Sequence, residues 1–333
     1  MLSEKEYENI AKKALEKYPI FAEKLVYLGL SDNVTFRVET KDEDLKYLIK
    51  LHYSTNGSRS KDFIESELIW LEALASDSKH DVPAPVKNGE GELVTTVTVE
   101  DLEDIDNLAD GFNEEMFVTL HHWVHGELLN RQPTGDETRR LALLMADLHA
   151  HSKKWDAPDR FTRPAYNSLH LMTSYKQLRQ NLKGLIADEY FSSLKETVDQ
   201  ISIEIDSQNM SRDSWGLIHS DLHEANYVFY KDNPRPIDFS NCGHGYYLFD
   251  LAETCMHLSF ENQKVFVSTY GTVHPLQDDY RTVIEAFFIW SIIRTFAFHS
   301  QNPKEIESLK RDLPFVIDHY CKKYLEHTTF LLD

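Results

Sequence analysis

The run His219-Ser-Asp221-Leu-His-Glu-Ala-Asn226, with Pro236-Ile-Asp238-Phe239 a short way on, sets a carboxylate, an amide and a second carboxylate within twenty residues of one another. The pattern H-x-D-x-x-x-x-N followed by D-F suits phosphoryl transfer from ATP. That chemistry asks for a carboxylate to orient the attacking hydroxyl, oxygen ligands for magnesium, and donors on the phosphates. Asn226 opens the alternating run Tyr227-Val-Phe-Tyr230, and Pro236 to Phe239 forms a second short run across a polar turn, which reads as a hairpin. A turn centred near Asp232 sets Asn226 opposite Asp238, where Cβ atoms lie roughly 4.5–5.5 Å apart. Two oxygen ligands at that separation suit one hard cation, and magnesium usually takes only one or two ligands from protein.

Such a site needs a lysine for the phosphates and an acid to hold that lysine, both supplied from earlier in the chain. Val34, Phe36 and Val38 alternate with polar residues, a polar turn follows at Lys41 to Asp44, and Leu45 to Leu51 alternates again. This second hairpin places Lys50 on the same face as Leu48. The spacing of Ile64, Leu68, Leu71 and Ala75 predicts a helix over 62–75, with Glu67 inside its apolar stripe. Glu65, rotated about 100° from Ile64, falls outside that stripe. Glu67 is therefore the expected partner of Lys50. The polar loop Gly29-Leu-Ser-Asp-Asn33 would cover nucleotide phosphates through Ser31 and Asn33.

Taken in order, Glu67 to Leu74, Val82-Pro-Ala-Pro85, Val124-His-Gly-Glu127, Leu144 to His149, His219 to Asn226 and Asp250-Leu-Ala252 resemble the landmarks of the aminoglycoside phosphotransferase and choline kinase superfamily. The resemblance covers nearly the whole chain. The stretch Ile237 to Ala252 is most similar to the branch holding homoserine kinase type II proteins and stress-response kinases. One departure is that Ser240 and Asn241 stand where that branch often carries a second acidic residue, which puts a fully carboxylate second metal site in doubt.

The resemblance implies an α+β, two-lobed protein-kinase-like fold. A small antiparallel-sheet lobe with one main helix would occupy residues 1–122 and bind nucleotide. A larger, mostly helical lobe, residues 123–333, would carry catalysis and the acceptor. Asp221 would be the catalytic base or hydroxyl-orienting residue, Asn226 and Asp238 the Mg2+ ligands, Lys50 the contact to the α- and β-phosphates of ATP, and Glu67 its ion-pair partner. Met116 to Val124 resembles the strand and linker whose backbone meets the adenine edge, with His122 and Val124 as the contacts. Asp250 would brace the catalytic loop. The implied activity is transfer of the γ-phosphate to a hydroxyl of a small molecule, a homoserine-like amino alcohol or an amino sugar. A stress-response type Ser/Thr protein kinase and a nucleotide-binding pseudokinase are the alternatives.

Bulk properties agree with an enzyme of two domains. A chain of 333 residues, 41% hydrophobic, is too long for one ordinary core. Lys and Arg number 35 against 55 Asp and Glu, and the net charge of −20 argues against nucleic acid or anionic membranes as partners. Three cysteines without C-x-x-C spacing, and an N-terminus without an apolar run, fit a reducing cytoplasm. The most apolar run, Ile284 to Ile293, contains Glu285, is closed by Arg294, and is too short for a bilayer, so it reads as a buried helix. No G-x-x-x-x-G-K-[ST] occurs, and His223-Glu224 has Tyr227 where a zinc-protease helix needs its second histidine. In the middle segment, Ser168 to Gln208, Leu178, Leu182 and Leu185 recur at helical spacing.

Overall fold

Alternation in the hairpin that carries Lys50 translates directly into a two-faced sheet. The computed structural model describes residues 2–31, 33–52, 60–98, 100–102 and 115–332. Strands β2 (Val34–Glu39) and β3 (Lys46–His52) pair antiparallel, with Val34, Phe36 and Val38 opposite Leu51, Ile49 and Tyr47. All six are buried in one core. The core is closed by a helix that the apolar spacing read above does not include, α1 (Glu4–Glu16), which buries Tyr7, Ile10, Ala11, Ala14 and Leu15. Ser3 and Glu6 form a capping box at its start, each satisfying a backbone N–H that the first turn leaves without a partner.

The chain divides into two compact units. The first comprises Met1–Gly126 together with Ala157–Arg163 and Arg235–Ile237. Its sheet runs β1 (Lys24–Leu30), β2, β3, β6 (Glu115–His122), β4 (Pro85–Val86), with β5 (Thr95–Thr98) also paired to β6, all antiparallel. With Tyr47, Ile49 and Leu51 directed to the α1 core, the period of two sends Leu48 and Lys50 to the opposite face. Helix α2 (Lys61–Asp77) buries Ile64, Ser66, Glu67, Leu68, Trp70, Leu71 and Leu74. Its buried stripe ends on Leu74; Ala75, expected there, is exposed.

The second unit holds Glu127–Asp156, Pro164–Pro234 and Asp238–Asp333. It is built on helices α3 (Gly135–Ser152), α4 (Ser168–Asn181), α5 (Asp188–Ser207), α6 (Tyr247–Cys255), α7 (Phe260–Gly271) and α8 (Tyr280–His299). Small strands β7 (Ala165–Tyr166), β8 (Trp215–Ile218) and β11 (Gly243–Tyr246) form a sheet in the order β7-β11-β8, while β9 (Tyr227–Tyr230) pairs with β10 (Asn233–Pro236). The middle segment is two helices with a break at Gly184, whose φ is +75°. Leu178 and Leu182 are therefore buried while Leu185, beyond the end of α4, is exposed. Helix α8 is long and apolar enough to cross a membrane, yet 61% of that window is buried inside the structure. Glu285 is tolerated there because its Oε1 accepts the backbone N–H groups of Phe330 (2.7 Å) and Leu331 (2.9 Å).

The hairpin expected to set Asn226 against Asp238 forms as β9 and β10, but its second strand is Asn233–Pro236, so Asp238 lies beyond the strand, and its register is one residue from the expected one. Its turn is Lys231-Asp232, both with positive φ (47° and 65°), the two-residue kind that matches strand twist. Tyr230 therefore faces Asn233, and Asn226 is not directly opposed to Asp238.

Candidate active site

In the second unit the loop that carries Asp221 leaves β8 through a strained residue. Ser220 has φ +60°, a conformation that a serine rarely adopts without help. Help comes from Asp250 on α6, whose Oδ2 accepts the His219 amide (2.9 Å) and whose Oδ1 accepts the Ser220 amide (2.6 Å). Ser220 Oγ donates to Asn241 O (2.7 Å), and Arg294 on α8 donates to Ser220 O (2.6 Å). Asp250 is wholly buried and also accepts His149 Nε2 (3.0 Å), while His149 Nδ1 meets the Tyr270 hydroxyl at 2.9 Å. Burial alone would raise the Asp250 pKa; the hydrogen bonds from the His149 ring and the His219 amide hold it below the usual value. Burial likewise lowers the pKa of His149, which fits a neutral ring donating from Nε2 and accepting at Nδ1.

His219 contributes by packing. Its ring is buried against Phe239 (centroids 4.6 Å apart), and among the described residues neither nitrogen has a hydrogen-bond partner. Burial lowers its pKa, so it stays uncharged.

Asp221, which follows the strained residue, is held from both sides. Its Oδ2 accepts Asn226 Nδ2 (2.9 Å) and Asn241 Nδ2 (3.0 Å). Its Oδ1 lies 3.8 Å from Arg294 and 3.8 Å from His223 Nε2. Two amide donors on one oxygen fix the carboxylate plane. Asn226 Nδ2 also donates to Asp221 O (2.9 Å) and meets His223 Nε2 at 3.1 Å, which leaves its amide oxygen as the atom to offer a cation. Asp238 is oriented by Ser240, whose amide (3.0 Å) and hydroxyl (2.7 Å) both donate to Oδ1. An amide oxygen and a carboxylate are hard donors, so this pair fits magnesium.

In the first unit, Lys50 Nζ lies 3.9 Å from Glu67 Oε1, both side chains being almost fully buried. Glu67 Oε2 lies 4.0 Å from Arg163, whose guanidinium also donates to Phe63 O (3.1 Å) and packs on the Phe63 ring. Glu65 instead pairs with the exposed Arg160 at 3.3 Å. The inward placement of Glu67 follows the helical stripe. Arg163 could not be foreseen, because no local pattern connects it to α2.

The remaining expected contacts are less uniform. Ser31 is exposed, whereas Asn33 is 5% exposed, its backbone O accepting the Ser31 amide (3.1 Å). Asp32, between them, lies outside the described residues. The His122 amide donates to Ala84 O (2.8 Å), so only its carbonyl could meet an adenine, while Val124 is half-buried in the segment after β6. Asn241, Arg294 and His149 support the loop and were not singled out from sequence. Asn241 stood out only as the missing second acid and Arg294 only as the residue that closes the apolar run of α8, and neither observation pointed to the loop.

A two-unit fold with a kinase-type loop braced from the next helix defines a class, and comparison with known proteins names it. Residues 27–282 match the model of the phosphotransferase enzyme family, and the chain belongs to that family. A curated relative, amicoumacin kinase of Bacillus subtilis (strain 168), is 20% identical over 250 residues, spanning 74% of this chain and 66% of the relative. Among solved structures, a microcompartment-associated aminopropanol kinase superposes with TM-score 0.78 at 25% identity, covering 96% of this chain and 98% of that one. An amicoumacin kinase solved with AMP-PNP and Ca2+ superposes with TM-score 0.75 at 18% identity, covering 99% and 98%. The protein-kinase-like fold implied by the sequence is the fold observed.

Proposed function

We propose that the chain is an ATP- and magnesium-dependent phosphotransferase that moves the γ-phosphate to a hydroxyl of a small molecule bearing an amine, of the amino alcohol or amino sugar type. The observation that carries this reading is Asp221, a carboxylate locked by two side-chain amides next to a strained, braced backbone. In this reading Asp221 orients the acceptor hydroxyl and takes its proton as the oxygen attacks. Asn226 Oδ1 and Asp238 would hold Mg2+, which would supply neutralisation of the phosphate charge. Lys50, fixed by Glu67, contacts the α- and β-phosphates. The amine-bearing acceptor class draws on the names of the similar kinases, above all aminopropanol kinase at 25% identity.

The test is ADP release with magnesium ATP across a panel of amino alcohols, amino sugars and generic protein acceptors. Turnover with a small amine-bearing alcohol, lost in Asp221→Asn, is the expected result. Turnover confined to protein acceptors would reject the acceptor class, and no turnover with any acceptor would reject the activity.

A further inference from the structure

Beyond the end of α6 the chain returns to the catalytic loop. There the His257 ring stacks on His223, with centroids 4.9 Å apart and planes 29° from parallel. His257 Nδ1 lies 3.6 Å from Glu224 Oε2, and its Nε2 lies 3.7 Å from Glu253 Oε1. One ligand atom from each of His223, Glu224 and His257 falls within 4.8 Å of the others. Two imidazole nitrogens and one carboxylate oxygen form a donor set that suits zinc and its transition-metal neighbours, whereas magnesium favours oxygen alone. Zinc bonds of about 2.0–2.2 Å require these atoms to close in slightly. Glu224, whose side chain is 52% exposed, has room to do so. A metal-bound histidine usually has its other nitrogen on a carboxylate, and Glu253, 1% exposed, stands in that place for His257.

We propose that His223, Glu224 and His257 form a transition-metal site on the edge of the catalytic loop, and that Zn2+ or a similar cation bound there inhibits the enzyme. The site is separate from the Asn226 and Asp238 pair but coupled to it through His223, which meets Asn226 Nδ2 at 3.1 Å and lies 3.8 Å from Asp221 Oδ1. Ligation draws the His223 ring toward the metal and off Asn226. It also sets a dication beside Asp221, where positive charge weakens the carboxylate as a proton acceptor. Three protein ligands leave a coordination position open, as in exchangeable rather than structural zinc sites. The inhibitory role rests on the phosphotransferase reading; the metal site does not.

Two measurements on the full chain separate these parts. Titration with Co2+ alone, without nucleotide, followed by visible absorption, is expected to show one ion bound by the wild type. His257→Ala and the exposed-residue variant Glu224→Gln should each weaken that binding about tenfold or more. In the phosphotransfer assay, micromolar Zn2+ should inhibit the wild type but not His257→Ala, which keeps its basal turnover; chelation of zinc by ATP is the same for both. Unchanged cobalt affinity in both variants overturns the site. His257-dependent cobalt binding with equal zinc inhibition of wild type and variant overturns the regulatory role. Cobalt binding of that kind in a protein that transfers no phosphate instead counts against the phosphotransferase reading.

Discussion

Two charged side chains carry most of the argument at the scale of single residues. Asp221→Asn keeps the shape and most hydrogen bonds of the carboxylate but removes its charge. Turnover should fall by about 10²–10⁴-fold while ATP affinity stays near wild type. Steady-state kinetics alongside a nucleotide-binding titration check this, and full turnover would show that Asp221 is not the catalytic residue. In the first unit Glu67 is shared between Lys50 and Arg163, so the two obvious variants are not equivalent. Glu67→Ala removes the buried carboxylate that Lys50 and Arg163 share and should cost up to roughly 3–5 kcal/mol in urea unfolding. Lys50→Ala leaves Glu67 with Arg163 and should cost less stability, while raising the KM for ATP and lowering kcat. Equal stability losses would remove Arg163 from the pair. At this scale the loop was legible in sequence because its residues are close along the chain. Asn241 and Arg294 were not, because their role depends on side chains arriving from later elements.

Between elements, the decisive contact is α6 against the loop that carries Asp221. Asp250 accepts both amides that flank the bend at Ser220, and His149 and Tyr270 continue the bonding into α3 and α7. Asp250→Ala strands those buried donors and releases a serine held at φ +60°, so both stability and turnover should drop together. Asp250→Asn keeps one acceptor oxygen and should recover part of each. Thermal unfolding and kcat measured on both variants test this; an Asp250→Ala protein with normal turnover would contradict the bracing role. Strand alternation and the α2 stripe told which faces are buried, since periodicity reports burial directly. It did not tell where an element stops. The stripe ends on Leu74, Leu185 falls past α4, and the turn at Lys231-Asp232 shifts the hairpin by one residue because turn type sets register.

The whole molecule should lose stability on mild acidification. Burial lowers the pKa of His149, His170 and His219, and that of His170 is pushed down to about 4, with the charge of Arg294 adding to the effect. These rings are neutral in the folded chain but bind protons near pH 6.5 when unfolded. Below that pH the unfolded state therefore holds more protons, and stability falls with a slope of up to about 1.4 kcal/mol per pH unit for each ring. For His170 the loss runs from about 6.5 down to about 4. His257 acts in the opposite sense: burial alone would lower its pKa, but Glu253, Glu224 and Asp221 raise it, so its contribution is present below pH 6.5 and is lost as pH rises. His170→Phe, similar in volume, should flatten the acid slope in urea midpoints taken from pH 7.5 to 4.5. An unchanged slope would exclude His170 as a contributor.

The central claim is phosphoryl transfer from ATP to the hydroxyl of a small amine-bearing molecule with Asp221 as the orienting carboxylate. Phosphorus NMR of a reaction with magnesium ATP and a panel of amino alcohols tests it most directly. The account predicts a new phosphate monoester resonance growing in step with ADP, slowed by about 10²–10⁴-fold in Asp221→Asn. ADP forming with inorganic phosphate alone, or a monoester forming equally fast in the variant, would contradict it.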